Sequence, residues 1–206
     1  MRVFLFLILL ISGVAQASPL LVLGDSLSAA YGIERDQGWV NLLRQRLSEQ
    51  GYDLEVVNAS VSGETTSGGL SRLPPLLETH QPSIVIIELG ANDGLRGTPL
   101  DIVRRNLEQL VETAEVSGAR VILVGNHLPP NYGPRYTQAF FALFQEVAEE
   151  KSAVLVPFLL EGVADDWDLM QEDGYHPKAK AQPKLLDTVW QVLDPVLGSE
   201  TEKAPQ

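Results

Sequence analysis

Apolar runs rich in β-branched residues recur along the chain at 20–23 ("LLVL"), 54–57 ("LEVV"), 84–89 ("IVIIEL"), 121–124 ("VILV") and 154–156 ("VLV"). Runs this short, bounded by polar or turn-forming residues, read as strands buried on both faces. Between them the apolar positions change to a helical spacing. Residues 39–50 place Val40, Leu43 and Leu47 on one face and stop at Gly51, and residues 99–117 do the same with Ile102, Leu107, Leu110 and Val111 before Gly118. Residues 137–151 and 178–193 read as two further helices. This alternation predicts an α/β fold, a parallel sheet of about five strands covered by helices on both faces and joined by right-handed crossovers. In the stretch 66–80, Pro74 and Pro75 predict a break or kink in any helix begun near Gly69.

The chain has 206 residues, 45% of them hydrophobic and 20% charged, which suits one compact domain with an ample core. Neither an internal repeat nor an interdomain linker interrupts it. Residues 1–17, "MRVFLFLILLISGVAQA", join a basic start at Arg2 to an unbroken apolar stretch and a small-residue "AQA" site, the anatomy of a secretory signal peptide. That stretch is short for a bilayer-spanning helix, so no stable membrane insertion is expected once it is cleaved, and the location expected is periplasmic or secreted. The domain is then assigned to 18–197, and the polar segment "GSETEKAPQ" at 198–206 to a flexible tail. A monomer is expected.

Formal net charge is −12, and removing Arg2 with the leader makes it −13. With no lysine or arginine cluster to compensate, so acidic a surface excludes nucleic acid as a partner. The absence of cysteine excludes disulfides, a thiol nucleophile and thiolate metal sites. "NAS" at 58–60 matches a glycosylation sequon, but its place at the end of a buried strand favours a structural use.

In an open parallel sheet, ligands collect outside the carboxyl ends of the strands. The loops that follow the first four predicted strands are "GDS" (24–26), "NASVSGET" (58–65), "LGANDG" (89–94) and "GNHLPPNYG" (125–133), and all should line one rim. Gly24 allows a sharp turn out of the sheet, and Ser26 falls where a helix is expected to begin. A serine there can act as a nucleophile or simply cap the helix. The nucleophile needs a base, normally histidine, and a group that orients the base. Of three histidines, His80 closes a helix-like segment before Pro82, a charge partner for the helix end, and His127 lies on the fourth rim loop. His176 lies in "EDGYHPKAK" with Asp173 three residues before it, a spacing that in a tight turn can set a carboxylate against one ring nitrogen and leave the other free. Pro177 would then occupy the first turn of the closing helix. An oxyanion formed at an acyl carbon also needs donors, and Gly63 offers an unhindered N–H while Asn92 offers a side-chain amide on a glycine-flanked loop. A positive-φ glycine and an Asx-turn are the plain alternatives for those two residues.

These four blocks, "GDSLSAAYG", "NASVSGET", "LGANDG" and "DGYHP", resemble those of the SGNH, or GDSL, hydrolases, in order and with near-family spacing over essentially the whole chain after the leader. The match looks closest to the exported thioesterase, arylesterase and lysophospholipase subgroup. The resemblance implies a flavodoxin-like three-layer α/β/α fold, Ser26 as nucleophile, His176 as base, Asp173 as its orienting acid, and an oxyanion hole from the Ser26 and Gly63 N–H groups and the Asn92 amide. It also implies Leu27, Asn131, Tyr132 and Tyr175 near the substrate, and neither a metal nor an organic cofactor. Two positions depart from the family pattern. Ala30 stands where glycine is common, which implies a change in helix packing only, and His127 stands where arginine is expected, which bears on substrate preference.

The function expected is hydrolysis of small acyl esters and thioesters, lysophospholipid among them, through an acyl-serine intermediate. A carbohydrate O-deacetylase on the same apparatus and a non-catalytic binding module on the same fold are the alternatives. Phosphoryl chemistry ranks last, because no "GxxxxGKS" pattern occurs and the acidic surface would repel a polyanion.

Overall fold

The computed structural model describes residues 18–201. The leader assigned to 1–17 and the last five residues of the tail therefore lie outside the described residues. Five strands, β1 (Leu20–Gly24), β2 (Val56–Asn58), β3 (Ile84–Glu88), β4 (Arg120–Val124) and β5 (Val154–Val156), form one sheet in the order β2-β1-β3-β4-β5. Every pairing is parallel. Six α-helices flank the sheet: α1 (Trp39–Glu49), α2 (Thr66–His80), α3 (Ala91–Leu95), α4 (Leu100–Val116), α5 (Pro134–Lys151) and α6 (Gln182–Thr201).

The strands are apolar on both faces because each face meets a helical layer. Leu20 and Val22 of β1 and Ile84 and Ile86 of β3 pack with α1 and α6, while Leu21, Leu23, Val85 and Ile87 pack with α2, α4 and α5. This is the three-layer arrangement the apolar runs predict. From β1 the chain moves outward to β2, then crosses back to β3 on the other side. The strand order thus reverses at β1 and β3, and the carboxyl ends of these two strands flank the crevice where a ligand site is expected.

Several local expectations change. Helix α2 runs unbroken through Pro74 and Pro75. Both prolines are exposed, and the exposed Ser71 and half-buried Leu70, whose carbonyls lose an N–H partner, leave those oxygens accessible to water, while Leu73 and Leu77 anchor the opposite face. On α4, Ile102 is 37% exposed and Val103 takes the core position instead. The closing helix begins only at Gln182, after a 3₁₀ turn at Ala179–Ala181, and Pro177 pairs with Met170 in an antiparallel bridge rather than starting a helix. Its far end continues through Thr201, into the segment assigned to the tail.

Candidate active site

Residues 25–32 leave β1 as successive turns, not as the helix expected after Ser26. The Ala29 N–H bonds to the Asp25 carbonyl and the Tyr31 N–H to the Ser26 carbonyl, and Ala30 sits at φ +61°. That left-handed residue stops helical propagation. It also revises the reading of Ala30: glycine suits the position because of its backbone conformation, not because of helix packing. Ser26 therefore caps no helix. Its Oγ lies 2.9 Å from Nε2 of His176.

His176 is delivered by a small hairpin. The Gln171 N–H bonds to the His176 carbonyl at 2.7 Å and the Lys178 N–H to the Leu169 carbonyl at 2.7 Å, so both arms are tied around the turn. Within that turn Asp173 Oδ1 accepts the N–H groups of Tyr175 and His176, and Oδ2 lies 2.7 Å from His176 Nδ1. Partial burial raises the Asp173 carboxyl, but the His176 ring and the two backbone donors outweigh it and hold the group below its ordinary value. An ionised Asp173 accepts the Nδ1 proton, which leaves Nε2 unprotonated and facing the serine. The Tyr31 ring lies 4.4 Å from the imidazole, centroid to centroid, and covers one side of it.

Ser26, Gly63 and Asn92 all line one cavity. The N–H groups of Ser26 and Gly63 have no acceptor among the described residues, and Gly63 holds φ +80° with its carbonyl taking a bond from Arg96. Asn92, second residue of α3, directs one amide hydrogen to Asp25 Oδ2 at 3.0 Å. Helix α3 is itself fixed by Asp93, whose two carboxylate oxygens accept the N–H and hydroxyl of Thr66 at the start of α2.

A family model, the GDSL-like lipase/acylhydrolase family, matches residues 22–182. The chain belongs to this family. It is 51% identical over 190 residues to esterase TesA of Pseudomonas aeruginosa, covering 92% of this chain and 94% of the relative. It is 41% identical over 198 residues to thioesterase 1/protease 1/lysophospholipase L1 of Escherichia coli K12, covering 96% and 94%. A crystal structure of TesA superposes with a TM-score of 0.84 at 52% identity, covering 86% of this chain and 98% of that one.

In this GDSL hydrolase the crevice around Ser26 is the space open to a substrate. A cavity of about 690 Å³ opens there, with Leu27, Leu95, Leu128, Phe158, Leu160 and Met170 among its walls. Tyr175 stands at the mouth, 43% exposed. Of the four residues expected near the substrate, Leu27 and Tyr175 line this cavity. Asn131 and Tyr132 do not: their loop turns as a 3₁₀ helix, Pro130–Tyr132, and the Tyr132 hydroxyl donates to the Leu95 carbonyl, so Pro129 and Pro130 form the wall instead. His127 lines the cavity with its ring stacked on Phe141 at 3.7 Å and edge-on to Phe158 at 4.7 Å. Burial pulls its pKa down, against the opposing pull of Glu161 and Asp165, so the ring stays neutral and adds to an apolar wall. His80 ends α2, as expected, ahead of the first residue of β3 and so at the end of the sheet opposite this rim. The sequon residue Asn58 donates from its side chain to the Ser28 carbonyl at 2.9 Å, a structural use.

Sequence reasoning missed Glu88, wholly buried at the end of β3 beneath the Ser26 turn. A single carboxylate closing an apolar run was its only signal. Missed too were Tyr31 over the imidazole and Asn126 at the cavity floor, neither of which carries a spacing that marks it.

Proposed function

We propose that the protein is an exported serine hydrolase that cleaves acyl esters and thioesters through an acyl-serine intermediate. Ser26 Oγ attacks the acyl carbon as His176 Nε2 takes its proton, and Asp173 holds the ring and offsets the imidazolium charge. Negative charge gathers on the former carbonyl oxygen, which the Ser26 and Gly63 N–H groups and the free amide hydrogen of Asn92 receive. On collapse the bond from carbon to the leaving oxygen or sulfur breaks, and His176 returns its proton to the leaving group. Water, deprotonated by the same nitrogen, then attacks the acyl-serine and frees the acid and Ser26.

The observation that carries this reading is the continuous chain of contacts Asp173–His176–Ser26, at 2.7 and 2.9 Å, at the floor of the cavity. The apolar walls favour an acyl chain over an acetylated sugar, and Leu27, Tyr175, His127 and Phe158 are assigned to hold it. The thioesterase and lysophospholipase activities in the name of the Escherichia coli relative support thioesters and lysophospholipids as substrates. Periplasmic or secreted location and a monomeric state belong to the same proposal. The leader reading of 1–17 supports export, and none of the described helices is long and apolar enough to cross a membrane.

The test is labelling by a fluorophosphonate probe alongside rates on a graded series of acyl p-nitrophenyl esters and acyl thioesters. Wild type should label once, at Ser26, and turn over medium chains, while Ser26→Ala should do neither. An unlabelled but folded wild type would favour the binding module instead.

A further inference from the structure

Glu88 and Asp25 form a buried acidic pair that the reaction above leaves without a task. Glu88 has no exposed surface and Asp25 is 1% exposed. The parallel register sets Gly24 of β1 beside Glu88 of β3, so the carboxyl of Glu88 reaches directly under the turn that carries Ser26. There Glu88 Oε2 accepts the Asp25 N–H at 3.3 Å, one residue before Ser26, and the Ser28 hydroxyl at 2.7 Å, two residues after it. Asn126 Nδ2 reaches Oε1 at 3.4 Å. Asp25 in turn uses Oδ1 to accept the Leu27 N–H and Oδ2 to accept the Asn92 amide, each at 3.0 Å. A Cβ added at Gly24 would lie 2.7 Å from Ser28 Cβ and 2.9 Å from Glu88 Oε2, so only glycine permits this approach.

We propose that Glu88 is a positioning residue for the hydrolysis: by clamping the Asp25–Ser28 turn at both ends and backing Asp25, it sets the Ser26 N–H and the Asn92 amide where the oxyanion develops. The inference rests on the hydrolase reading and extends it to a group that never touches substrate. Two carboxylates in contact in a dry site cannot both carry charge, and no lysine or arginine reaches either one among the described residues. Burial, and then the charge of Asp25, drives the Glu88 carboxyl well above its ordinary value, whereas Asp25 is pushed up by burial only to about 6 because Leu27, His176, Glu88 and Asn92 favour its ionised form. Glu88 therefore keeps the proton, and Asp25 carries the charge that holds Asn92. A neutral carboxyl of this kind is mimicked by an amide, which distinguishes positioning through hydrogen bonds from a need for charge.

The test compares wild type, Glu88→Gln, Glu88→Ala, Asn92→Ala and the double variant Glu88→Ala/Asn92→Ala on p-nitrophenyl butyrate, with fluorophosphonate labelling and thermal unfolding beside the rates. Asn92→Ala alone should lose about 10²- to 10³-fold in kcat, the usual size for one oxyanion donor. Glu88→Ala should lower kcat about 10- to 100-fold with KM moving less than about twofold, because an interaction made only in the transition state is weakened. Glu88→Gln should bring kcat back to within about threefold of wild type, and adding Glu88→Ala to Asn92→Ala should cost less than Glu88→Ala costs alone, since one of the two donors it aligns is already gone. A folded Glu88→Ala with wild-type kcat, a Glu88→Gln as impaired as Glu88→Ala, or full additivity with Asn92→Ala overturns the proposal. If Glu88→Ala does not fold, Ser28→Ala removes the shortest arm of the clamp and should lower kcat about 3- to 10-fold at unchanged KM, and an unchanged kcat overturns it. An active, labelled wild type with an insensitive Glu88 sinks this inference alone, whereas an inactive, unlabelled wild type sinks the hydrolase reading with it.

Discussion

Gly24 carries more constraint than its size suggests, because two side chains meet where its Cβ would be. Ser28 and Glu88 occupy that space at 2.7 to 2.9 Å, and neither can withdraw without giving up the hydrogen bond between them. Gly24→Ala should therefore act as an overpacking substitution at a polar contact, destabilising the protein by about 1–3 kcal/mol and lowering kcat by moving Ser26. Thermal unfolding and p-nitrophenyl butyrate kinetics check both effects, and a stable, fully active Gly24→Ala would show that the turn can relax around the methyl. Ala30 poses the opposite case. Its φ of +61° is adopted by a residue with a Cβ, and it is 8% exposed, so the strain there is borne by a methyl that is packed rather than absent.

Two elements must be held against each other for the catalytic contact to exist, the turn after β1 and the hairpin around His176, which lie 150 residues apart. Gln171 links them: its amide donates to the Tyr31 carbonyl at 2.9 Å and to the Pro177 carbonyl at 3.1 Å, one on each element. Gln171→Ala should lower kcat about 3- to 10-fold, since small misplacement of a base is costly, with only a modest fall in unfolding temperature. Steady-state kinetics at matched fold stability measure it, and an unaffected kcat would mean the hairpin holds its own position. The sequence makes the strands, α1, α4 and the four loop blocks legible, because burial on both sheet faces and helical periodicity leave a local imprint. It does not make α2 legible, where two prolines signal a break that an exposed helix face absorbs, nor the turns at 26–32, where Ser26 looks like a helix start until Ala30 is seen in a left-handed conformation. Glu88 is hidden for a different reason. Its partners Asp25 and Ser28 are 63 and 60 residues away and meet it only through the β1–β3 register. Gln171 is invisible on the same ground, since its role comes from contact with Tyr31, 140 residues away.

At the scale of the whole molecule, the acidic pair beneath the site sets how stability depends on pH. The Asp25 carboxyl titrates at about 6 in the folded protein against an ordinary value of 3.8, so between those values the folded state holds a proton that the unfolded chain has released. Stability then falls as pH rises: the contribution is complete below 3.8 and is lost as pH passes through about 6, and Glu88, also raised by burial, extends the same trend upward. A shift of this size in a buried group amounts to about 3 kcal/mol, a substantial part of a typical domain stability of about 5–15 kcal/mol. Asp173 works in the other direction, because its lowered carboxyl stabilises the fold above 3.8 and that contribution fades as pH falls further. The formal charge of −12 adds to the first trend, since neutralising surface carboxylates relieves self-repulsion. Unfolding temperature should therefore rise as pH is lowered from 7.5 toward about 4 and then fall, in contrast to proteins whose buried carboxylates are paired with cations. In Asp25→Asn the rise between about 4 and 6 should be reduced, with the variant more stable than wild type at neutral pH although slower in catalysis, because it gives up an ionised carboxylate that is costly to bury and useful to Asn92. Thermal unfolding of both proteins across that pH range, at fixed ionic strength above about 0.15 M to screen the surface term, isolates the buried pair. Identical pH slopes would show that Asp25 titrates in the fold as it does in the unfolded chain, with no carboxyl raised by burial.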